Sequence, residues 1–318
     1  WNPRRQPAWG EGLPVCAVGD TERCAALLRE HGVVVFRGVA DGEATERAEL
    51  LFWRWLETHT TARRGDPRTH TQEAFRKIGY ANTGVVNAFS IGQSEFLWHC
   101  RLAVKAAWAT VWGGCDDLVT SFDGCGAWRN PYLHANRPFT DGNWYHLDQN
   151  VRENPGFLGY QGLLVVAGAG DHLSGSTVVL PGSHRHFERF DGGDRGSFVR
   201  LSSKKEDTAY CDARAVQVAP LTPGDVLVWD ARVVHCSAGV ARGLPQSHPL
   251  VPDFFSRQDE KDKPPALARL VAYVAMLPRQ RISASVAARR RAAVTKGTGS
   301  GWDARVLRNY PPPARNYR

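Results

Sequence analysis

The 318 residues carry a net charge of +8, yet the last forty hold ten Lys/Arg against one acid, Asp303, so the body of the chain is nearly neutral. A neutral body excludes a protein built mainly to grip nucleic acid, and leaves a basic C-terminal segment able to touch acidic surfaces. Hydrophobic residues make up 42%, enough for a sizeable core in one large domain or two small ones, and eleven Trp point to a dense interior or an aromatic-lined cleft.

No apolar run reaches the length of a signal peptide or a membrane span. The chain does not begin with Met, which fits the removal of initial residues, a targeting segment among them. Seven Cys are present, an odd number with no C-x-x-C spacing. Reduced thiols in an intracellular, cytoplasmic protein fit this better than a disulfide or zinc framework.

Residues 1–19 are rich in Pro, Gly and charge and read as an extended lead-in. Asp20 caps a helix running to about His31, with Gly32 as its stop. Val33–Phe36 follows as a buried strand. Asp41 caps a second helix to about Thr58, whose apolar positions 44, 48, 51, 52, 55 and 56 share one face. Residues 59–80 are polar and read as loop. Phe96–Trp112 reads as a third helix, ended by Gly113-Gly114.

From residue 117 the pattern changes. Short β-rich runs alternate with turn signals at Leu118–Phe122, Trp144–Leu147, Gly162–Ala167, Ser176–Leu180, Ala215–Val218, Asp225–Trp229, Val233–Cys236 and Leu270–Met276. Strands at this density indicate a sandwich or barrel, and helices first with strands later indicate an α+β domain whose helices buttress a sheet. A long polar stretch, 242–265, interrupts the strands. A basic helix is expected over 282–294, and Pro311-Pro312-Pro313 precludes regular structure near the end.

The most informative residues are His146-Leu147-Asp148 and His235. Residues two apart in a strand face the same way, so His146 and Asp148 can reach one metal. Two imidazoles and a carboxylate occupy one face of an octahedral iron(II) and leave positions for a cosubstrate and oxygen. No Cys stands at a spacing that favours zinc. From these residues alone, a strand histidine and a turn aspartate are an equal reading.

Four segments, in order, resemble the phytanoyl-CoA dioxygenase-like branch of the iron(II)/2-oxoglutarate oxygenases. They are the opening helix and strand at 28–35, His146-Leu147-Asp148, the run Ser174-Gly175-Ser176-Thr177-Val178-Val179-Leu180-Pro181-Gly182-Ser183-His184, and Pro223-Gly224-Asp225 through His235. The resemblance covers about residues 20–280. It implies a double-stranded β-helix (jelly-roll, cupin-like) barrel at about 117–278, buttressed by a helical part at 20–115, with a basic helix and tail at 281–318. It also implies His146, Asp148 and His235 as metal ligands and catalytic centre, with iron(II), 2-oxoglutarate and O2 as cofactor and cosubstrates.

In that family an arginine on a late barrel strand meets the far carboxylate of 2-oxoglutarate, and a guanidinium fork suits that task. Arg269, which opens the run Leu270–Val274, is preferred over Arg242, with 243–264 as an insertion. Ser237 matches a family position that contacts 2-oxoglutarate, and Gln161 is placed to line the same pocket. The implied reaction turns 2-oxoglutarate into succinate and CO2 and hydroxylates a C–H bond. Asp148 favours hydroxylation, because relatives with a small residue there leave room for halide. A small-molecule or lipid-like substrate leads. A protein or nucleotide substrate, or a non-catalytic barrel, are the alternatives. Ser183-His184-Arg185-His186 reads as a turn, Cys236 as a packed thiol, and Trp128, Arg129, Tyr132, His134 and Trp144 as either cleft or aromatic core.

Overall fold

The computed structural model describes residues 6–136, 139–168, 170–190, 199–201, 205–252 and 264–308. The first half contains β1 (Val15–Cys16), α1 (Thr21–His31), β2 (Val33–Phe36), α2 (Gly42–His59), α3 (Gln72–Ile78), β3 (Gly79–Tyr80), β4 (Val85–Val86), α4 (Glu95–Ala103), α5 (Lys105–Val111), β5 (Leu118–Thr120) and β6 (Cys125–Arg129). The second half contains β7 (His146–Leu147), β8 (Tyr160–Gly168), β9 (Thr177–Val179), β10 (Val199–Arg200), α6 (Lys205–Asp212), β11 (Val216–Val218), β12 (Val226–Asp230), β13 (His235–Ser237), β14 (Leu267–Tyr273), β15 (Met276–Pro278), α7 (Ala284–Lys296), β16 (Gly299–Ser300) and β17 (Leu307–Arg308).

An eight-stranded sheet, β1-β2-β12-β8-β14-β6-β4-β3, opposes a five-stranded sheet, β10-β7-β13-β9-β11. The alternation of strand side chains sorts each strand into two layers. From the larger sheet Val33, Val35, Leu163, Val165, Leu227, Trp229 and Val271 turn inward to meet Val179 and Val218 of the smaller one. The intervening residues Val34, Phe36, Leu164, Val166, Val226 and Val228 turn outward against Leu28, Phe52, Leu56, Phe96 and Trp108 of the helices. Each such side chain removed from water stabilises the fold by roughly 1.5–3 kcal/mol. The architecture is a double-stranded β-helix, α+β in class, with the N-terminal helices on the outer face of its larger sheet.

Local chemistry sets the helix ends. The Asp20 side chain accepts from Arg23 N at 3.0 Å, and Gly32 closes α1 at φ 73°. A Cβ at Gly32 would lie 2.5 Å from His184 Nδ1 and 2.6 Å from Val233. The helix therefore ends where the Pro-Gly-Ser-His segment crosses it. That segment is structural: Gly182 N donates to His31 O, Val234 N donates to Ser183 Oγ at 2.9 Å, and His184 Nε2 meets Arg29 O. Asp225 is buried and accepts from Thr222 N, Gly38 N and Arg37, joining the turn before β12 to the end of β2.

Several expectations need correction. Residues 59–80 are not all loop: Thr71 caps the two-turn α3, which buries Ala74, Phe75 and Ile78. A helix this short shows too little periodicity to stand out in sequence. The expected single helix at 96–112 is two, broken at Val104, so that Phe96, Leu97 and Cys100 of α4 and Ala107 and Trp108 of α5 are all buried. The lead-in adds β1 in parallel beside β2, and Gln6 hydrogen-bonds Tyr145 and Asn143. Strand β6, Cys-Gly-Ala-Trp-Arg, is fully buried and lacks the β-branched signature of a strand.

The basic helix expected over 282–294 is present as α7 and is largely exposed, but one face of it and the chain through residue 308 pack against the body. Arg290 of α7 is buried, donates to Ala304 O and Thr120 O, and stacks on Phe122 at 3.9 Å. Ser300 and Phe122 exchange hydrogen bonds, and Trp302 Nε1 reaches Asp148 O at 3.4 Å. Pro311-Pro312-Pro313 and residues 253–263 of the 243–264 stretch lie outside the described residues. The described part of that stretch is tied down by His248 to Asp171 at 3.0 Å and by Leu244 N to Tyr132 Oη at 2.9 Å. No helix among the described residues is long and apolar enough to cross a membrane, and all seven Cys are free thiols.

Candidate active site

His146 and His235 are direct partners across the β7–β13 ladder. Their ring centroids lie 4.2 Å apart. Asp148, two residues after His146, returns to the same face, with Oδ2 3.9 Å from His146 Nε2 and 3.5 Å from His235 Nε2. One donor atom from each of the three side chains falls within 4.8 Å of the others, a grouping able to hold a metal ion.

The tautomers follow from the backbone. His146 Nδ1 is 3.1 Å from Trp144 O, and His235 Nδ1 is 3.0 Å from Val233 O. A carbonyl only accepts, so each Nδ1 carries the proton and each Nε2 keeps its lone pair for the shared space. Trp144 stacks flat on His146 at 4.7 Å, and the Trp229 ring lies 5.2 Å from His235. Burial, aided by the charge of His235, pushes the His146 imidazolium down to about 4, so the ring is neutral near pH 7. At Asp148 burial opposes ionisation, but contact with His235 and the field of both imidazoles prevail and hold its carboxyl below the usual carboxylate range. Two imidazole nitrogens beside an ionised carboxylate are the donor set that iron(II) takes.

Deeper between the sheets lies Arg269 on β14, 5% exposed. Its NH2 donates to Thr177 Oγ1 at 2.9 Å, its NH1 has no acceptor, and its guanidinium lies 4.8 Å from the Trp128 ring centroid. No carboxylate pairs with it among the described residues. Burial pushes its pKa down to about 10, which still leaves it cationic near neutrality. Ser237 stands opposite Thr177 in the β13–β9 ladder and so shares this neighbourhood. Gln161 on β8 is buried opposite Trp229. It approaches Asp148 closely enough to favour the ionised carboxylate, yet its Nε2 does not meet hydrogen-bond geometry with any acceptor. Arg242 is elsewhere: it is exposed and stacks on Phe139 at 4.5 Å.

The site therefore holds buried donors in excess of acceptors. Arg269 NH1 and Gln161 Nε2 lack partners among the described residues. Buried donors are normally satisfied, and an anion rich in acceptors is the group that would satisfy a set like this. The fit to a dicarboxylate such as 2-oxoglutarate is good on that ground.

Sequence reading gave no role to Thr177, Tyr273 or Asp123. Thr177 could have been found as the strand partner of Ser237. Tyr273, four residues past Arg269, shares its strand face, and its phenol is within electrostatic range of Arg269, Asp123 and Asp148. Asp123 accepts from Gly124 N at 2.7 Å, and burial, aided by the charge of Asp148, pushes its carboxyl up to about 7. Its neighbours Phe122 and Gly124 line a cavity of about 230 Å³ together with Asn87, Ser90, Lys296 and Ser300. Of the aromatic group before the triplet, Trp128 and Trp144 face the site, whereas Tyr132 and Arg129 bond Ala241 O and His70 O.

Fold and donor set together define a metal-dependent oxygenase of the double-stranded β-helix class. The profile of the phytanoyl-CoA dioxygenase (PhyH) family matches residues 28–241, and the chain belongs to that family. It is an iron(II)- and 2-oxoglutarate-dependent dioxygenase. No curated protein matches it. Similar solved structures include the epimerase SnoN in complex with Fe3+, α-ketoglutarate and nogalamycin RO, at 17% identity over 81% of this chain and 86% of that one, TM-score 0.44. They also include the α-ketoglutarate-dependent carbocyclase SnoK from nogalamycin biosynthesis, at 13% identity over 80% and 82%, TM-score 0.49. A third is EctD from S. alaskensis with 2-oxoglutarate and 5-hydroxyectoine, at 15% identity over 86% and 80%, TM-score 0.44.

Proposed function

We propose that this dioxygenase hydroxylates a C–H bond of a small-molecule or lipid-like substrate, with His146, Asp148 and His235 as iron ligands and Arg269 as the anchor of 2-oxoglutarate. One observation carries the reading: three donors converge within 4.8 Å, and Arg269, buried and without a carboxylate partner among the described residues, reaches Thr177 on the strand that pairs with that of His235. Bound iron(II) and 2-oxoglutarate supply oxygen activation, with release of succinate and CO2. The chain's residues bind, orient and shield. Arg269 takes the distal carboxylate through its open NH1, with Thr177 and Ser237 hydroxyls beside it. Gln161 steadies Asp148. Trp144 and Trp229 hold the imidazole planes and exclude water. A carboxylate at position 148 leaves no ligand position for halide, which supports hydroxylation over halogenation.

A protein or nucleotide substrate had its main support in the basic C-terminal segment, and the burial of Arg290 removes part of that support. Anaerobic protein given iron(II) and 2-oxoglutarate is expected to show a weak visible charge-transfer band, and to release succinate once air is admitted. A His146→Ala protein that keeps both signals would refute the ligand assignment.

A further inference from the structure

A buried guanidinium without a carboxylate partner needs something else to hold its plane. Here that neighbour is Trp128, which stands beside Arg269 in the β6–β14 ladder, its ring centroid 4.8 Å from the guanidinium carbon. The indole in turn rests on two glycines. A Cβ at Gly84 would lie 2.5 Å from Trp128 Nε1, and Gly84 has φ +80°, which disfavours any side chain. A Cβ at Gly126 would lie 2.3 Å from the far edge of the same ring and 2.9 Å from Tyr273 Oη. Bare backbone under both ends of the indole fixes its height and tilt.

We propose that Trp128, seated on the shelf formed by Gly84 and Gly126, is a positioning residue for cosubstrate recognition by Arg269. This rests on the reading of Arg269 given above. A carboxylate partner would hold the guanidinium by occupying its N–H donors and cancelling its charge. An aromatic face attracts the cation through its π cloud and uses neither. Thr177 Oγ1 takes NH2, the indole takes the face, and NH1 stays open to an incoming carboxylate. The arrangement selects a ligand that brings a carboxylate to this depth, and it orients the fork before binding, which lowers the ordering cost of capture.

The test is equilibrium titration of the anaerobic iron(II) protein with 2-oxoglutarate, followed by the visible band and by thermal stabilisation, in Trp128→Phe, Trp128→Leu and Gly126→Ala. Trp128→Phe keeps an aromatic face and is expected to bind within a few-fold of the parent protein. Trp128→Leu is expected to weaken 2-oxoglutarate about tenfold, the scale of a desolvated cation–π contact. Gly126→Ala, which displaces the ring without altering Arg269, is expected to weaken it comparably. In all three, iron affinity measured without 2-oxoglutarate should be unchanged. In turnover the loss should fall on KM for 2-oxoglutarate, with kcat retained at saturation. Equal 2-oxoglutarate affinity in Trp128→Leu, or parallel loss of iron and 2-oxoglutarate in all three variants, would overturn the proposal. If the parent protein itself binds iron but no 2-oxoglutarate, the assignment of Arg269 fails and the shelf fails with it.

Discussion

At the scale of residues, the site separates two jobs that one charged pair often combines. His146, Asp148 and His235 present three donors, and the imidazoles are oriented by backbone carbonyls, with the Trp144 indole stacked on His146. Arg269 presents a cation whose orientation comes from Thr177 and Trp128. Arg269→Lys replaces a planar fork by a point charge and forfeits both contacts, so 2-oxoglutarate affinity is expected to fall on the order of tenfold or more, with iron binding kept. Calorimetry of the two ligands separately would show it, and an unchanged 2-oxoglutarate affinity would exclude Arg269 as the anchor. Arg242→Lys is the control, because Arg242 is exposed and outside the site; its 2-oxoglutarate affinity should match the parent. Thr177→Val deletes one hydrogen bond and should cost about 1 kcal/mol of cosubstrate binding.

At the scale of elements, the short strands that carry the ligands are held by segments that never touch the metal site. β13 has three residues, and the backbone just before it is tied by Val234 N to Ser183 Oγ, itself anchored against the end of α1. Ser183→Ala leaves a buried N–H without an acceptor and should lower stability by about 1–3 kcal/mol, read as a fall in the urea midpoint. Because Val234 adjoins His235, iron affinity should fall too; a stability loss with no change in iron affinity would mean that the tie supports the fold alone. Capped elements with strong periodicity, α1, β2 and α2, were legible in sequence because their signals are local: Asp20, Gly32 and Asp41 bond backbone within the same or the next turn. α3 and β6 were not, since one spans two turns and the other is rich in Gly, Ala and Arg, and both are held by packing.

At the scale of the molecule, burial sets the acid response. Burial, together with the fields of Arg129 and His70, pushes His134 down to about 4, and burial lowers His70 and His184 as well. Their folded pKa values lie below the unfolded value near 6.5, so their contribution to stability is present above that value. It is lost as pH falls from about 6.5 towards 4, where the unfolded chain binds protons that the folded one refuses, each steepening the loss by up to about 1.4 kcal/mol per pH unit. Urea midpoints of metal-free protein should therefore drop between pH 7 and pH 5; a flat or rising midpoint would show these rings already protonated in the fold. The C-terminal segment belongs to the same body. Arg290→Ala removes a buried cation that caps Thr120 O and Ala304 O, and is expected to destabilise by about 2 kcal/mol or more, seen as a lower thermal midpoint.

The sequence by itself determined the class of the chemistry, because each metal-site signal is short: a single residue between His146 and Asp148, a strand alternation, a Pro-Gly-Asp turn ahead of His235. Only the tertiary structure decided which arginine is buried. Arg242 and Arg269 are similar on paper, one following β13 and the other within β14. Their difference lies in contacts across 92 residues to Thr177 and across the sheet to Trp128. Such pairings depend on which strands are neighbours and in what register, and a single sequence carries no local signal of either. The same holds for the basic segment, where charge predicted a solvated helix and only the fold showed that one of its cations, Arg290, is buried against Phe122.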